Sequence, residues 1–213
     1  GEVDLERWIQ EVTMQTHLED PDQFLKACNM AQEIDLEAVR EDRLWTPGSS
    51  SFRIGIEMAQ VLAELHMDQA SLEAAILYRA VREERIELDV VRKAFGDEVA
   101  GLIHGVLQMA AISSIHHPLK GNVLGQSEGQ LDNVRKMLVT MIDDVRVALI
   151  KLAERAHALR CLVQSEDESA RTQVAREVRE LFAPLANRLG VWQLKWEMED
   201  LSYRFLEPQN YQR

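Results

Sequence analysis

Two residues of this chain, Glu154 and His157, are spaced so that their side chains could share a metal ion. They lie three residues apart in a stretch of helical periodicity, so a helix would place both on one face. A carboxylate and an imidazole are common metal ligands, and a bound metal can activate water for hydrolysis. We favour the simpler interpretation that packing or a hydrogen bond holds His157. The adjacent His116 and His117 could also bind a metal, but neighbouring histidines in a loop are mostly solvated.

A second set of residues, Arg53, Arg79 and Arg82, has the chemistry of an anion-binding site. Arginine suits phosphate because its planar guanidinium presents a fork of N–H donors. Arg79 and Arg82 are three residues apart and therefore share a helical face. Several glutamates lie close by in the sequence and oppose the binding of an anion. One of them, Glu83, follows Arg79 by four residues, which is the spacing of a helical ion pair.

The composition is that of an ordinary soluble globular protein, with 46% apolar and 28% charged residues in 213. Only 10 glycines and 5 prolines punctuate the chain, which favours an all-α fold. The net charge of −12 opposes nonspecific binding to a nucleic-acid backbone. No apolar run approaches the ~20 residues of a membrane helix, and no signal-like segment begins the chain. Cys28 and Cys161 have no CxxC spacing, so we expect two reduced core cysteines in a cytoplasmic protein.

Apolar residues recur at helical spacing through most of the chain and predict one compact multi-helix domain. Residues 46–51 are predicted to form a loop, and residues 113–126 a longer, exposed one. Trp192, Trp196 and Tyr203 on the last helix are expected to pack in the core or in an interface. The predicted helices span residues 5–14, 21–45, 51–66, 71–84, 88–95, 97–112, 127–141, 143–163, 169–189 and 193–206.

Three stretches of the sequence carry a family resemblance. They are Leu-Asp-Asn-Val-Arg-Lys-Met-Leu at 131–138, Asp-Val-Arg-Val-Ala-Leu-Ile-Lys-Leu-Ala-Glu-Arg at 144–155, and Ala-Pro-Leu-Ala-Asn-Arg-Leu-Gly at 183–190 with its continuation to Pro208. Together they resemble the N-terminal hydrolase region of the long RelA/SpoT-type alarmone synthetase/hydrolases. Such proteins make and degrade guanosine tetra- and pentaphosphate. The resemblance extends over residues 50–213, and residues 1–49 carry little of it.

This resemblance implies an HD-type, all-α fold in which Mn²⁺ helps water to remove a 3′-pyrophosphate. It places the first histidine ligand of the active family members at Ile54, and their His-Asp ligand pair at Tyr78 and Arg79. The last aspartate ligand falls on Glu154, so one of four ligand positions keeps a suitable group. A lone carboxylate does not make a stable Mn²⁺ site. We therefore expect no catalytic residue, metal or cofactor in this domain.

Two further family positions are also substituted. The Glu-Asp pair that serves the water falls on Arg82 and Glu83, and the asparagine that holds the nucleotide falls on Ala158. We expect Arg79 to replace the charge of the metal and to pair with Glu154 or Glu83. The competing interpretation is that Arg79 and Arg82 point to water.

Within the family, this pattern resembles the synthesis-only RelA type, in which a degenerate hydrolase region precedes a GTP pyrophosphokinase domain. It implies a helical extension at 1–49, a pseudo-hydrolase domain at 50–190, and a terminal helix at 191–213 leading to a synthetase domain that is absent here. The expected partner is that synthetase domain, regulated by intramolecular contact. Ribosome and tRNA contacts are expected from absent C-terminal regions, and no membrane contact is expected. The oligomeric state stays open.

Two alternatives remain open at the level of sequence. The first is a regulatory module that binds a nucleotide through Arg53, Arg79 and Arg82. The second is weak residual hydrolysis of the tetraphosphate through Glu154, His157 and the two loop histidines.

Overall fold

The computed structural model of the 213-residue chain describes residues 4–41, 50–115 and 144–211. All regular elements in these ranges are helices, which confirms the predicted all-α fold. None of the helices in the described ranges is long and apolar enough to cross a membrane. The predicted helix at 127–141 and most of the predicted loop at 113–126 lie outside the described residues.

The chain divides into two compact units, one of residues 1–111 with 144–150 and one of residues 112–143 with 151–213. The domain boundaries predicted at residues 49 and 190 stay predictions. The helices that begin in the first unit are α1 (Leu5–Gln15), α2 (Pro21–Arg40), α3 (Ser51–Glu64), α4 (Gln69–Arg82), α5 (Leu88–Phe95), α6 (Asp97–Ile115) and α7 (Val145–Leu162).

Short polar side chains start four of these helices. Asp4, Asp20, Ser50 and Asp68 each accept a hydrogen bond from the backbone N–H three residues further on. This contact satisfies one of the N–H groups that a helix N-terminus leaves without an intrahelical partner. The predicted helix starts therefore agree with the structure to within a few residues.

The core of the first unit forms where α4 packs between α2 and α3. Gly55 brings α3 close to α4, because a Cβ there would lie 2.8 Å from the carbonyl oxygen of Ile76. Helix α1 joins this core through Trp8, which stacks on Phe24 and donates to Gln60 Oε1 at 3.0 Å. The first two helices thus pack with α3 and α4 in one unit.

A buried carboxyl group, that of Glu73 on α4, lies in this core. Glu73 is 0% exposed and accepts hydrogen bonds from Gln69 at 2.8 Å and from Gln23 at 3.0 Å. Burial raises the pKa of Glu73, and the charge of Asp20 adds to the increase, while the two amide donors oppose it. The hydrogen bonds of Glu73 therefore join α2 to α4 through a carboxyl group that resists ionisation.

Arg146 ties the start of α7 to the rest of the first unit. Its guanidinium bonds Asp144, Asp68 and Glu98, each at 2.6 Å. Burial opposes ionisation of Asp68, but hydrogen bonds from Ser71 and Arg146 prevail and lower its pKa. Since Asp68 also caps α4, one cation links the N-termini of α4 and α7 with the first turn of α6.

The second unit contains the rest of α7 and a series of shorter helices. The predicted helix at 169–189 is interrupted by a π-helical segment in which Ala183 N–H donates to the carbonyl of Val178. Pro184, just beyond, has no N–H to donate, and a wider turn accommodates that loss. The elements are α8 (Glu168–Glu177), the π-helical segment (Val178–Phe182), α9 (Ala183–Arg188), α10 (Trp192–Leu206) and α11 (Pro208–Tyr211).

Helix α10 packs on α8, α9 and the π-helical segment and buries Leu194 and Met198. Trp192, Trp196 and Tyr203 lie on its other side and are 52%, 62% and 40% exposed. The expectation that these aromatic residues pack in the core was wrong, and the expectation that they pack in an interface stays a prediction. The periodicity of α10 is weak because apolar residues occur on both sides of it.

Gly55→Ala should destabilise the protein by about 1 to 3 kcal/mol, because the added methyl group meets backbone atoms of α4 and forces the two helices apart. Gly101→Ala on α6 is the matched control, since a Cβ there has no neighbour within 4 Å. The control should stabilise by up to about 1 kcal/mol through helix propensity. Denaturant unfolding of both variants measures the difference, and equal effects would contradict the close approach.

Glu73→Gln should change how the free energy of unfolding depends on pH. Because the folded-state pKa of Glu73 is raised, the folded protein binds a proton more readily than the unfolded chain. Stability is therefore lost as pH rises from the ordinary glutamate pKa through the raised value, and the variant should lack this loss. Urea unfolding across that window measures it, with Glu33→Gln on the exposed face of α2 as control for the removed charge.

Candidate functional site

The positions that the family resemblance singles out fall on three helices. Ile54 lies half-buried on α3, and the group from Tyr78 to Glu83 lies at the end of α4. Both belong to the first unit. Glu154 and the half-buried Ala158 lie on α7, in the part assigned to the second unit.

Tyr78 is part of the hydrophobic core. It is 0% exposed and ranks among the largest fully buried side chains of the described residues. A metal ligand at this position would have to reach an ion that substrate and water can also reach. The aromatic ring at position 78 instead fills space between packed helices.

Arg79 forms an internal ion pair with Glu83. Its NH2 and Nε groups donate to Glu83 Oε1 at 3.0 and 3.2 Å, and its side chain is 14% exposed. The Glu83 side chain is 1% exposed and also accepts from Arg85 Nε at 2.9 Å and from Ser51 Oγ at 2.5 Å. We call these four residues the Glu83 cluster. Of the two partners predicted for Arg79, Glu154 and Glu83, the structure confirms Glu83.

The end of α4 explains why Glu83 turns inward. Glu84 adopts a positive φ of 57°, and the following Arg85 N–H donates to the carbonyl of Ala80 at 2.9 Å. This reversal is the usual way to end a helix, although glycine is the residue that adopts it most easily. It brings the Arg85 side chain back to Glu83, two residues earlier.

The start of α3 presents the hydroxyl group of the cluster. Ser50 caps α3 by accepting from Arg53 N–H, and its own hydroxyl donates to Asp35 on α2 at 2.8 Å. Asp35 also accepts from the N–H of Ser51 at 2.9 Å, which fixes the backbone that carries the Ser51 hydroxyl. Three helices therefore position the partners of Glu83.

The electrostatics of this cluster differ from those of a metal site. Both carboxylate oxygens of Glu83 already accept hydrogen bonds from cations, and guanidinium groups have no lone pair to offer a metal. The other two arginines of the predicted anion site lie at the surface. Arg53 is 56% exposed and pairs with Glu57 at 3.1 Å, and Arg82 is exposed.

Glu154 lies in a second buried ion network. Lys151 Nζ donates to Glu154 Oε2 at 2.7 Å, and Arg155 donates to Oε1 at 2.8 Å. The side chains of Lys151 and Glu154 are only 4% and 3% exposed, and Arg155 also bonds Glu177 at 3.3 Å. Sequence reasoning missed Lys151 and Arg155, although the Lys-x-x-Glu spacing on a helix could have suggested the first contact.

His157 and Cys161 are neighbours on the following turn of α7. His157 is 8% exposed, and its Nε2 lies 3.2 Å from Cys161 Sγ. The favoured interpretation of His157, as held by packing or a hydrogen bond, agrees with this position. Cys161 is exposed, so its prediction as a core cysteine was wrong, whereas Cys28 is buried as predicted. His116 and His117 lie outside the described residues.

A metal site would require several convergent ligands. Within residues 4–41, 50–115 and 144–211, no group of three or more His, Cys, Asp or Glu side chains is arranged to hold a metal ion. The chemistry that the described positions support is ion pairing, because each carboxylate at a family position contacts at least two cationic groups.

Arg79→Ala, Glu83→Ala and the double variant should show a coupling energy of about 2 kcal/mol in the free energy of unfolding, because the pair is shielded from water. Arg53 and Glu57 on α3 provide the matched control, with the same residue types and the same spacing but high exposure. Their coupling should be about 0.3 to 0.5 kcal/mol. Equal coupling in the two cycles would contradict the internal role of Arg79.

Comparison with known proteins identifies relatives. A family model described as an HD domain matches residues 27–192. The GTP pyrophosphokinase of Escherichia coli strain K12 is 38% identical over all 213 residues, which span 27% of that protein. The GTP pyrophosphokinase of Haemophilus influenzae is 40% identical over 157 residues, which are 74% of the chain and 20% of that protein.

A relative named for a different activity also matches. The probable guanosine-3′,5′-bis(diphosphate) 3′-pyrophosphohydrolase of Synechocystis sp. is 38% identical over 158 residues, 74% of the chain and 20% of that protein. The chain thus spans about a quarter or less of the length of these relatives. The HD-domain model matches most of the chain. The relatives agree with the RelA/SpoT-type resemblance that the sequence motifs of the chain carry. The chain belongs to the HD-domain family, in its RelA/SpoT-type branch.

Proposed function

We propose that this domain is a catalytically inactive hydrolase domain that regulates the guanosine tetra- and pentaphosphate synthetase of a longer protein by intramolecular contact. The setting would be the cytoplasm, in the bacterial stringent response. The observation that carries the proposal is the buried ion network of Glu154. This residue is the one family metal position that retains a carboxylate, and cations bond both of its oxygens.

The lone pairs of Glu154 are the first part of the argument. A Mn²⁺ ion requires several oxygen or nitrogen ligands around it. To recruit Glu154, the ion would have to displace Lys151 and Arg155 and leave charged groups buried without their partner, which is strongly unfavourable. The network therefore stabilises the metal-free state of α7.

The charge at position 79 is the second part of the argument. In an active hydrolase of this family the resemblance implies a metal cation beside this position. Here a guanidinium provides a permanent positive charge, and Glu83 neutralises it at 3.0 Å. The end of α4 thereby keeps a cation and a carboxylate in contact without a centre that can activate water.

The activities for which the relatives are named support the regulatory half of the proposal. The Escherichia coli and Haemophilus influenzae relatives are GTP pyrophosphokinases, and most of their length lies outside the matched segment. A synthetase activity would therefore require parts of the longer protein. The exposed side of α10, with Trp192 and Trp196, is the surface through which this domain would act on the rest of that protein.

The chain should release no pyrophosphate from labelled guanosine tetraphosphate in the presence of Mn²⁺. The Synechocystis relative, assayed in parallel, should show release if it has the activity in its name. Turnover by the chain that Glu154→Ala abolishes would contradict the inactive assignment.

Calorimetry with the tetraphosphate should show no heat, because two of the three candidate arginines pair with glutamates.

Regulation should be visible as a change in pyrophosphate transfer from ATP to GTP when residues 1–213 are deleted from the longer protein. Arg79→Ala in the longer protein should change the synthesis rate at least severalfold, because it disrupts the Glu83 cluster that fixes the end of α4. Arg53→Ala, which removes an exposed pair on α3, is the control. Identical synthesis rates with and without the domain would contradict the regulatory role.

A further inference from the structure

Cys161 lies in the last turn of α7 in a setting unlike that of the other cysteine. Its thiol is exposed, and its Sγ lies 3.2 Å from Nε2 of His157, one turn earlier on the same face. A nucleophile within hydrogen-bond distance of a base is the usual arrangement of an activated thiol. In the tautomer with its proton on Nδ1, the imidazole accepts the thiol proton at Nε2.

The surroundings of Cys161 hold this pair in place. The preceding residue, Arg160, forms two hydrogen bonds with Glu197 on α10 at 2.5 and 2.8 Å. The carbonyl of the following residue, Leu162, accepts from Arg171 Nε on α8 at 3.0 Å. Two other helices therefore fix the last turn of α7, while His157 is 8% exposed and cannot turn away freely.

We propose that Cys161 is a reactive thiol, activated by His157 and oxidised reversibly by hydroperoxides to a sulfenic acid. This inference goes beyond the proposed function and does not depend on it. His157 Nε2 takes the thiol proton, and the sulfur attacks one peroxide oxygen, so that an S–O bond forms as the O–O bond breaks. The departing oxygen, hydroxide from hydrogen peroxide or alkoxide from an organic hydroperoxide, takes the proton back from His157 and leaves as water or an alcohol. The sulfur loses two electrons, which the peroxide gains.

Reversal follows ordinary thiol chemistry. A small thiol condenses with the sulfenic acid to give a mixed disulfide and water, and a second thiol then releases Cys161. The added oxygen would replace the contact between Sγ and His157 at the junction of α7 with α8 and α10. Oxidation would therefore change the local structure of the turn that α8 and α10 contact.

Cys28 is the internal control. It is 0% exposed, and burial, followed by the charge of Glu73, raises its pKa to about 12. The full chain would be treated with hydrogen peroxide in the presence of dimedone, and its peptides examined by mass spectrometry. The adduct should appear on the peptide with Cys161 and not on the peptide with Cys28. Equal modification of the two cysteines in the folded protein would overturn the proposal.

The role of His157 is tested by alkylation with iodoacetamide at neutral pH. In folded wild-type protein, Cys161 should react about threefold faster than in the same chain in urea, since a larger thiolate fraction outweighs its lower nucleophilicity. His157→Gln should remove this advantage. Labelling of the buried Cys28 reports any unfolding of the His157→Gln variant. The comparison of native with urea-unfolded wild-type protein does not depend on that variant. A native rate equal to or below the rate in urea would also overturn the proposal.

Discussion

A carboxylate that is buried in a protein must be matched by cations or hydrogen-bond donors, because desolvation of its charge otherwise costs several kcal/mol. This constraint governs both parts of the candidate site. Glu83 is 1% exposed and is held by Arg79, Arg85 and the Ser51 hydroxyl, and Glu154 is 3% exposed and is held by Lys151 and Arg155. In each case the protein itself supplies the positive charge.

The same constraint links the local structure of three helices to the Glu83 cluster. The reversal at Glu84 returns Arg85 to the carboxylate, and Asp35 fixes the start of α3 so that Ser51 reaches it. A metal ion would satisfy a buried carboxylate equally well, but it would also bring water into the site. The guanidinium groups of Arg79 and Arg85 and the Ser51 hydroxyl satisfy Glu83 within the packing of α3 and α4. This charge compensation supports the proposal that the domain is an inactive hydrolase domain.

Not every buried carboxyl group of the protein follows this pattern. Within the described part of the chain, Glu73 accepts hydrogen bonds from the side-chain amides of Gln69 and Gln23, and burial raises its pKa. Burial of a carboxyl group in this protein therefore does not by itself bring cationic partners, which Glu83 and Glu154 have. Cations compensate Glu83, where the family resemblance implies a residue that serves the water, and Glu154, where it implies a metal ligand. In the core between α2 and α4, amide groups satisfy Glu73 instead.

The sequence by itself determined the all-α fold, most helix boundaries in the described residues and the family, because helical periodicity, caps and motifs are local signals. It also limited Arg79 to two partners, since Glu83 lies one helical turn away. Only the tertiary structure decided that Arg85 and Ser51 complete this pair, because those contacts depend on a chain reversal and on a neighbouring helix. The exposure of Trp192, Trp196 and Cys161 was likewise beyond the sequence, since which side of a helix is covered depends on what packs against it. Residue type sets what a side chain can bind, and packing sets whether water or another residue reaches it.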